Sequence, residues 1–217
     1  MIRVNVICEG QTEYDFVSKM LYPYFILRGI QLNASDIGGA NNYPKVRKEI
    51  INWLNADPSA YVTTMIDLYG MNKHFPGYEA NNVANLSALG KVKAIETAIK
   101  ADILNAPKVH NTKFIPYVQL YEFEALLFSE PEKLQAWLSL DHRIKAQSFA
   151  AIRNAFDTPE DINDSPHTAP SKRILALVAS YDKIAEGITI ASDIGLQKLR
   201  EECPHFNAWL TELENLR

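Results

Sequence analysis

Four apolar runs of strand length are separated by stretches of helical periodicity, and this alternation restricts the chain to a βαβ architecture. The first run, Ile2 to Cys8, is apolar or β-branched at Ile2, Val4, Val6 and Cys8, with Ile7 joining from the opposite face. A strand buried on both faces belongs in a parallel sheet. The second run, Ile30 to Ile37, is weaker and stops at Gly38-Gly39. The third is Tyr61 to Ile66 and the fourth Phe114 to Tyr121. The intervals between them suit crossover connections.

The spacing predicts a helix from Thr12, its N-cap, to Leu27, with Phe16, Val17, Met20, Leu21 and Tyr24 on one stripe and Pro23 kinking or splitting it. A second helix is predicted over Tyr43 to Leu54 and a third over Gly90 to Leu104. Ser129 with Glu132 reads as a capping box for a fourth. Beyond about residue 140 the pattern is helical throughout, with helices expected at Ile144 to Phe156, Ser171 to Ser180, Ser192 to Cys203 and Pro204 to Leu216. The expectation is an α/β domain over residues 1–140, a mostly parallel four-stranded sheet flanked by helices. A helical extension over 141–217 is expected to pack on the same core.

A chain of 217 residues, 47% hydrophobic, has enough apolar material for one sizeable core. A net charge of −4 argues against a protein that coats nucleic acid non-specifically, but not against an enzyme that acts on it. The start of the sequence has no signal-peptide pattern and no apolar run approaches the length of a membrane span, so a soluble cytoplasmic protein is expected. Cys8 and Cys203 lie far apart, and Cys8 reads as a buried, reduced thiol. No Cys/His pattern has zinc spacing, and no phosphate-binding Gly-x-x-x-x-Gly-Lys-Ser/Thr loop is present.

Three of the four runs end in acids: Glu9, Asp67 and Glu122. In a parallel sheet all strand C-termini share one edge, and that edge is where open α/β sheets place their ligands. Glu13 falls in the first turn after Glu9, and Glu124 shares a face with Glu122 if the strand stays extended there. Gathered carboxylates repel one another unless a cation neutralises them, and hard oxygen donors suit Mg²⁺ or Mn²⁺. Such ions activate water and stabilise a leaving oxygen in phosphodiester hydrolysis. Taken singly, each acid is equally well read as a turn or capping residue.

Cys8-Glu9-Gly10-Gln11-Thr12-Glu13 after the first strand, with Asp67 after a later one, resembles a Toprim domain. The sequence is most similar to an uncharacterised bacterial Toprim-like family, related to the OLD (overcoming-lysogenization-defect) nucleases. The matching stretches are Cys8 to Glu13, Asp67 to Gly70, Ile115 to Phe128, Ala169 to Ile174 and Tyr181 to Ile184. The resemblance implies a Toprim-like fold and a metal-dependent nuclease that works in phage defence with an ABC/SMC-like ATPase encoded nearby. Toprim domains usually carry Asp-x-Asp where this sequence has Asp67-Leu68-Tyr69, and Glu122 or Glu124 is the expected substitute.

The resemblance also implies a lysine near the metal, for which Lys172 is the choice. Ser171-Lys172-Arg173 opens a helix whose N-terminus and two cations suit a phosphate; equally, Ser171 is a cap and the cations are solvated. The polar connection over residues 70–90 is long for a compact domain and includes His74, a candidate substrate contact or a solvated loop residue. Lys183, after Asp182, reads as a surface ion pair.

Two functions follow. In the first, the chain hydrolyses phosphodiester bonds of DNA or RNA. Glu9, Asp67, Glu122 and Glu124 hold Mg²⁺ or Mn²⁺, Glu13 is ligand or general base, and Lys172 stabilises charge. Arg173, His74 and Ser171 contact substrate. In the second, the chain is a non-catalytic Toprim-like scaffold that binds an ATPase.

Overall fold

The computed structural model describes residues 1–79, 86–139, 148–163, 165 and 167–217. The expected helix start at Ile144, the boundary drawn at 140 and part of the 70–90 connection lie outside these residues. The chain forms two compact units, one of Met1–Gln119 with Glu212–Arg217 and one of Leu120–Thr211. The helical stretch expected over 141–217 therefore falls in the second unit as far as Thr211.

The first unit is built on a parallel sheet in the order β2-β1-β3-β4, with β5 also paired to β3. Its strands are β1 (Ile2–Cys8), β2 (Ile30–Asp36), β3 (Tyr61–Asp67), β4 (Phe114–Ile115) and β5 (Val118–Gln119). In β1 and β3 nearly every residue is buried, as expected for central strands covered on both faces. The edge strand β2 alternates, and it pairs with β1 along its full length from Ile2↔Ile30 to Cys8↔Asp36.

The predicted fourth strand is broken. Pro116 has no N–H to donate, so the ladder stops at Ile115 and resumes at Val118. Thr64, buried in β3, bridges the gap. Its hydroxyl accepts the Tyr117 N–H at 2.9 Å and donates to the Tyr117 carbonyl at 2.8 Å. The paired segment then ends at Gln119 instead of Tyr121, where φ is +60°.

The first predicted helix has three parts: α1 (Gln11–Phe16), a π-helical turn (Val17–Leu21) and α2 (Tyr22–Ile26). Pro23 lies in the first turn of α2, and the Tyr22 N–H reaches back five residues to the Val17 carbonyl. The wide turn absorbs the proline without a break. Gly10, not Thr12, is the N-cap. Helices α3 (Tyr43–Ala56) and α4 (Ala88–Leu104) agree with the spacing and bury Val46, Ile50 and Leu54, and Val92, Ile95, Ile99 and Ile103.

The second unit centres on a 3₁₀ segment, Phe123–Ser129, that is buried at every residue. Seven residues is long for 3₁₀ geometry, and burial against the surrounding helices stabilises it. Those helices are α5 (Pro131–Leu138), α6 (Ser148–Arg153), α7 (Pro170–Leu177), α8 (Lys183–Ile194) and α9 (Leu196–Glu202), with α10 (Pro204–Glu214) following. Ser129 does not cap α5; Glu130 takes that position, and the Ser129 hydroxyl lies 3.4 Å from Cys203 Sγ. The helix expected over Ser192 to Cys203 covers α9 and the last residues of α8; α8 itself is unexpected, and it begins at Lys183 because Asp182 accepts the Ile184 and Ala185 N–H groups. Gly195, at φ +89°, separates α8 from α9.

Cys8 and Cys203 are both free and buried, and burial in apolar surroundings pushes each thiol well above its ordinary pKa. Among the described residues, no helix is long and apolar enough to cross a membrane.

Candidate functional site

The C-terminal edge of β1 and β3 brings Glu9 and Asp67 together. In a parallel ladder, Glu9 N–H bonds to the Met65 carbonyl, and the next rung should run from Asp67 N–H to the Glu9 carbonyl. The first of these bonds is present at 3.0 Å. The second is replaced. The chain turns at Gly10, the Glu9 carbonyl accepts the Gly39 N–H at 2.7 Å, and the Asp67 N–H donates to Glu9 Oε2 at 2.9 Å. The glutamate side chain thus closes the ladder where the main chain leaves it.

Gly70 completes the cradle. A Cβ at this position would lie 2.8 Å from Glu9 Oε1 and 3.0 Å from Oε2, so only glycine admits the carboxylate where it stands. The residue follows Asp67 by three positions at the end of a 3₁₀ turn, Leu68–Gly70. Its presence after Asp67 is visible in the sequence, but its contact with Glu9 is set by strand pairing. Asp67 is buried and Glu9 half-buried. Glu13, only 2% exposed, directs Oε2 back to the Gly10 N–H at 3.1 Å, which fixes the start of α1. One of its oxygens thus has a capping role at the turn that positions Glu9.

Glu122 and Glu124 lie in the second unit. Neither ends a strand, because pairing stops at Gln119. Glu122 is the residue before the 3₁₀ segment and Glu124 lies inside it, so the two do not share an extended face. Glu122 Oε2 accepts the Ser171 N–H at 2.9 Å, in the first turn of α7. That helix terminus, expected to receive a phosphate, holds a protein carboxylate. Lys172 is exposed on the same turn. Arg173 donates through Nε to the Thr168 carbonyl at 2.7 Å, and its guanidinium lies 5.1 Å from the Phe156 ring centre.

Glu124 is fully buried, and Lys183 Nζ approaches its carboxylate at 3.4 Å. Lys183, read from the sequence as a surface ion pair, thus reaches a buried acid, and Asp182 caps α8. No sequence signal within reach of Lys183 announces this pairing, because Glu124 is 59 residues away and is brought near only by the packing of α8 on the 3₁₀ segment. Tyr181 lies beside the pair, and burial followed by the Glu124 charge raises its hydroxyl above the ordinary value.

His74 is exposed, in the connection after Asp67, with its N–H held by Asn72 Oδ1 at 3.0 Å. With Asn41, Asn42, Tyr43 and Pro44 it lines a cleft of about 670 Å³. The connection is not simply loose: Phe75 is buried against Tyr43, and Gly77, at φ +80°, packs against the α4 backbone.

The family comparison is decisive: residues 8–214 match the model described as Domain of unknown function (DUF4276). The chain belongs to the DUF4276 family. The DUF4276 match includes both acid arrangements, Glu9 with Asp67 and Glu122 with Ser171. Three solved chains are similar over nearly the whole of this one, among them two OLD proteins' C-terminal regions. The C-terminal region of the Xanthomonas campestris pv. campestris OLD protein is 14% identical with a TM-score of 0.43, covering 99% of each chain. The C-terminal region of the Burkholderia pseudomallei OLD protein is 14% identical with a TM-score of 0.47, covering 96% of this chain and 99% of that one. The comparison with curated proteins finds no match.

Among the described residues, no group of three or more His, Cys, Asp or Glu side chains is arranged to hold a metal ion. The carboxylates expected to bind one are divided, Glu9 and Asp67 in the first unit and Glu122 and Glu124 in the second. What the first unit offers is a pair of hard oxygen donors at one strand edge. That donor set fits Mg²⁺, which is commonly held by one or two carboxylates with water and substrate phosphate completing its shell.

Proposed function

We propose that the protein is a Toprim-like, metal-dependent nuclease that hydrolyses phosphodiester bonds of DNA or RNA. The observation that carries this reading is the replaced ladder rung. Glu9 and Asp67 end adjacent parallel strands, and the Glu9 carboxylate is locked between the Asp67 N–H and Gly70. A carboxylate held in this way at a sheet's C-terminal edge is preorganised for a cation. The resemblance of Cys8–Glu13 and Asp67–Gly70 to Toprim domains supports the same assignment.

In this reading Glu9 and Asp67 hold Mg²⁺ or Mn²⁺. The ion supplies charge neutralisation and an activated water. Glu13 keeps the Gly10 turn closed and acts as ligand or base. His74, in the same unit as Glu9 and Asp67, contacts the strand. The resemblance further supports work in phage defence with an ABC/SMC-like ATPase as a separate partner, and a cytoplasmic location. Purified protein with Mg²⁺ or Mn²⁺ should cleave plasmid or single-stranded substrates, alone or with that ATPase. Glu9→Gln and Asp67→Asn should each abolish cleavage, and unchanged cleavage in both would sink the assignment.

A second reading is favoured by the partners of the remaining acids. Glu122 is engaged at α7 and Glu124 with Lys183, and Tyr69 stands where a second aspartate is usual. In this reading the protein is a non-catalytic scaffold for the ATPase. Calorimetric titration separates the two: a nuclease binds Mg²⁺ or Mn²⁺ saturably through Glu9 and Asp67, and a scaffold does not.

A further inference from the structure

The cleft lined by Asn41, Asn42, Tyr43, Pro44 and His74 is tied to the Glu9 edge from both sides. One wall descends from Gly39, whose N–H donates to the Glu9 carbonyl at 2.7 Å. The other descends from Gly70, where a Cβ would meet the Glu9 carboxylate. The Asn72 side-chain amide joins the walls by donating to the Asn41 carbonyl at 2.7 Å. Asn41 is two residues from Gly39, so their Cα atoms are within about 7.6 Å of each other.

The lining has the chemistry of an unpaired base site. Among the described residues that line it, none is acidic, in a chain of net charge −4. Tyr43 forms a rigid part of the wall: its ring packs on Phe75 with centroids 5.2 Å apart, and its hydroxyl donates to Asp102 at 2.6 Å. Asn41, Asn42 and His74 are exposed, presenting two carboxamides and one imidazole. Carboxamides match the donor and acceptor edges of a base, and the exposed His74 imidazole offers a stacking face. Lys73, exposed and next to His74 in sequence, supplies a cation for the nucleic-acid backbone, whereas Lys45 Nζ donates to the Gly38 carbonyl at 3.2 Å. A volume of about 670 Å³ accommodates a ligand of nucleotide size.

We propose that this cleft binds one unpaired nucleotide of the substrate, its base against His74 and the Asn41 and Asn42 carboxamides, and so presents a single-stranded segment to the Glu9–Asp67 edge. A base within a duplex is stacked and paired, and it cannot enter without being extruded. The inference rests on the nuclease reading for its substrate class, but its test does not depend on cleavage.

The test is fluorescence anisotropy with a labelled oligonucleotide, in DNA and RNA forms, single-stranded and annealed to its complement, in buffer with EDTA. The expected result is tighter binding of single strand than of duplex. Asn41→Ala with His74→Ala should weaken single-strand affinity about tenfold, the scale of one lost base stack. Both positions are exposed, so the fold should be retained, and circular dichroism checks this. As a second readout, the His74 imidazole resonances of the wild type should shift on titration with the single strand. Unchanged affinity in the double variant, or no binding of either single strand by the wild type, overturns the proposal. So does equal binding of duplex with equal loss in the variant. If Glu9→Gln abolishes cleavage while the cleft variant binds normally, the nuclease reading stands and the cleft assignment alone fails. If the cleft variant loses binding while Glu9→Gln still cleaves, the cleft stands and the catalytic assignment fails.

Discussion

Glu9 accepts the Asp67 N–H through its side chain, at 2.9 Å, in the place a main-chain carbonyl would occupy had β1 continued beside β3. The acid at the strand end is therefore also part of the sheet. Removing it leaves a partly buried donor without its acceptor, whereas glutamine keeps an acceptor oxygen at the same reach. Glu9→Ala should cost about 1–3 kcal/mol of stability, and Glu9→Gln less than about 1 kcal/mol. Urea unfolding of the three proteins checks this. Equal losses for alanine and glutamine would show that the hydrogen bond is not what holds the edge.

Gly70 permits the Glu9 carboxylate to sit where it does. In Gly70→Ala the new methyl meets the end of a flexible side chain, so the carboxylate swings aside and the fold is retained. The expected outcome is a stability within about 1 kcal/mol of wild type, since no backbone strain is introduced. Divalent-ion affinity should fall about 10–100-fold, as when the shell that orients a metal ligand is disturbed. Isothermal titration with Mn²⁺ reads the second effect and chemical denaturation the first. A Gly70→Ala protein with wild-type ion affinity would argue that the Glu9 position does not matter to the ion.

In the second unit, Glu160 is buried and accepts two N–H groups from the start of α10, His205 at 2.8 Å and Phe206 at 2.9 Å. It serves as an N-cap supplied from a distant part of the chain. Glu160→Ala orphans both donors, and the expected loss is about 1–3 kcal/mol for a buried donor left unsatisfied. The thermal or urea transition should move accordingly. A Glu160→Gln protein should fall between the two, because a neutral amide retains one acceptor but not the charge.

Lys198 and Arg153 hold the Glu202 carboxyl below its ordinary pKa, through contacts of 2.7 and 2.8 Å. Folding then favours the ionised form. Its contribution is complete above the unfolded value of about 4.3 and is lost as pH falls through the folded value. Stability measured against pH should therefore decline more steeply below about pH 4.3 in wild type than in Glu202→Gln. Identical acid limbs would remove Glu202 from the account.

What the sequence alone determined is local or periodic. Alternating apolar runs required a parallel sheet, and the burial of β1 and β3 follows from their composition. Helical stripes placed α3 and α4 within a few residues. The acids after β1 and β3 met at one edge because parallel strands have no other arrangement. Pro116 is visible in the sequence, yet apolar patterning predicts one continuous strand over Phe114 to Tyr121; the missing N–H explains why the structure splits it into β4 and β5. Tertiary structure decided everything that depends on contacts between distant residues. Thr64 repairs the break at Pro116 from a neighbouring strand, Gly70 shapes the space around Glu9, and Lys183 reaches the buried Glu124. Glu122 is engaged at the start of α7, where a phosphate was expected. The reason is physical: periodicity records which face of an element is buried, whereas the partner of a buried polar group is chosen by whichever donor or acceptor packing brings within about 3 Å.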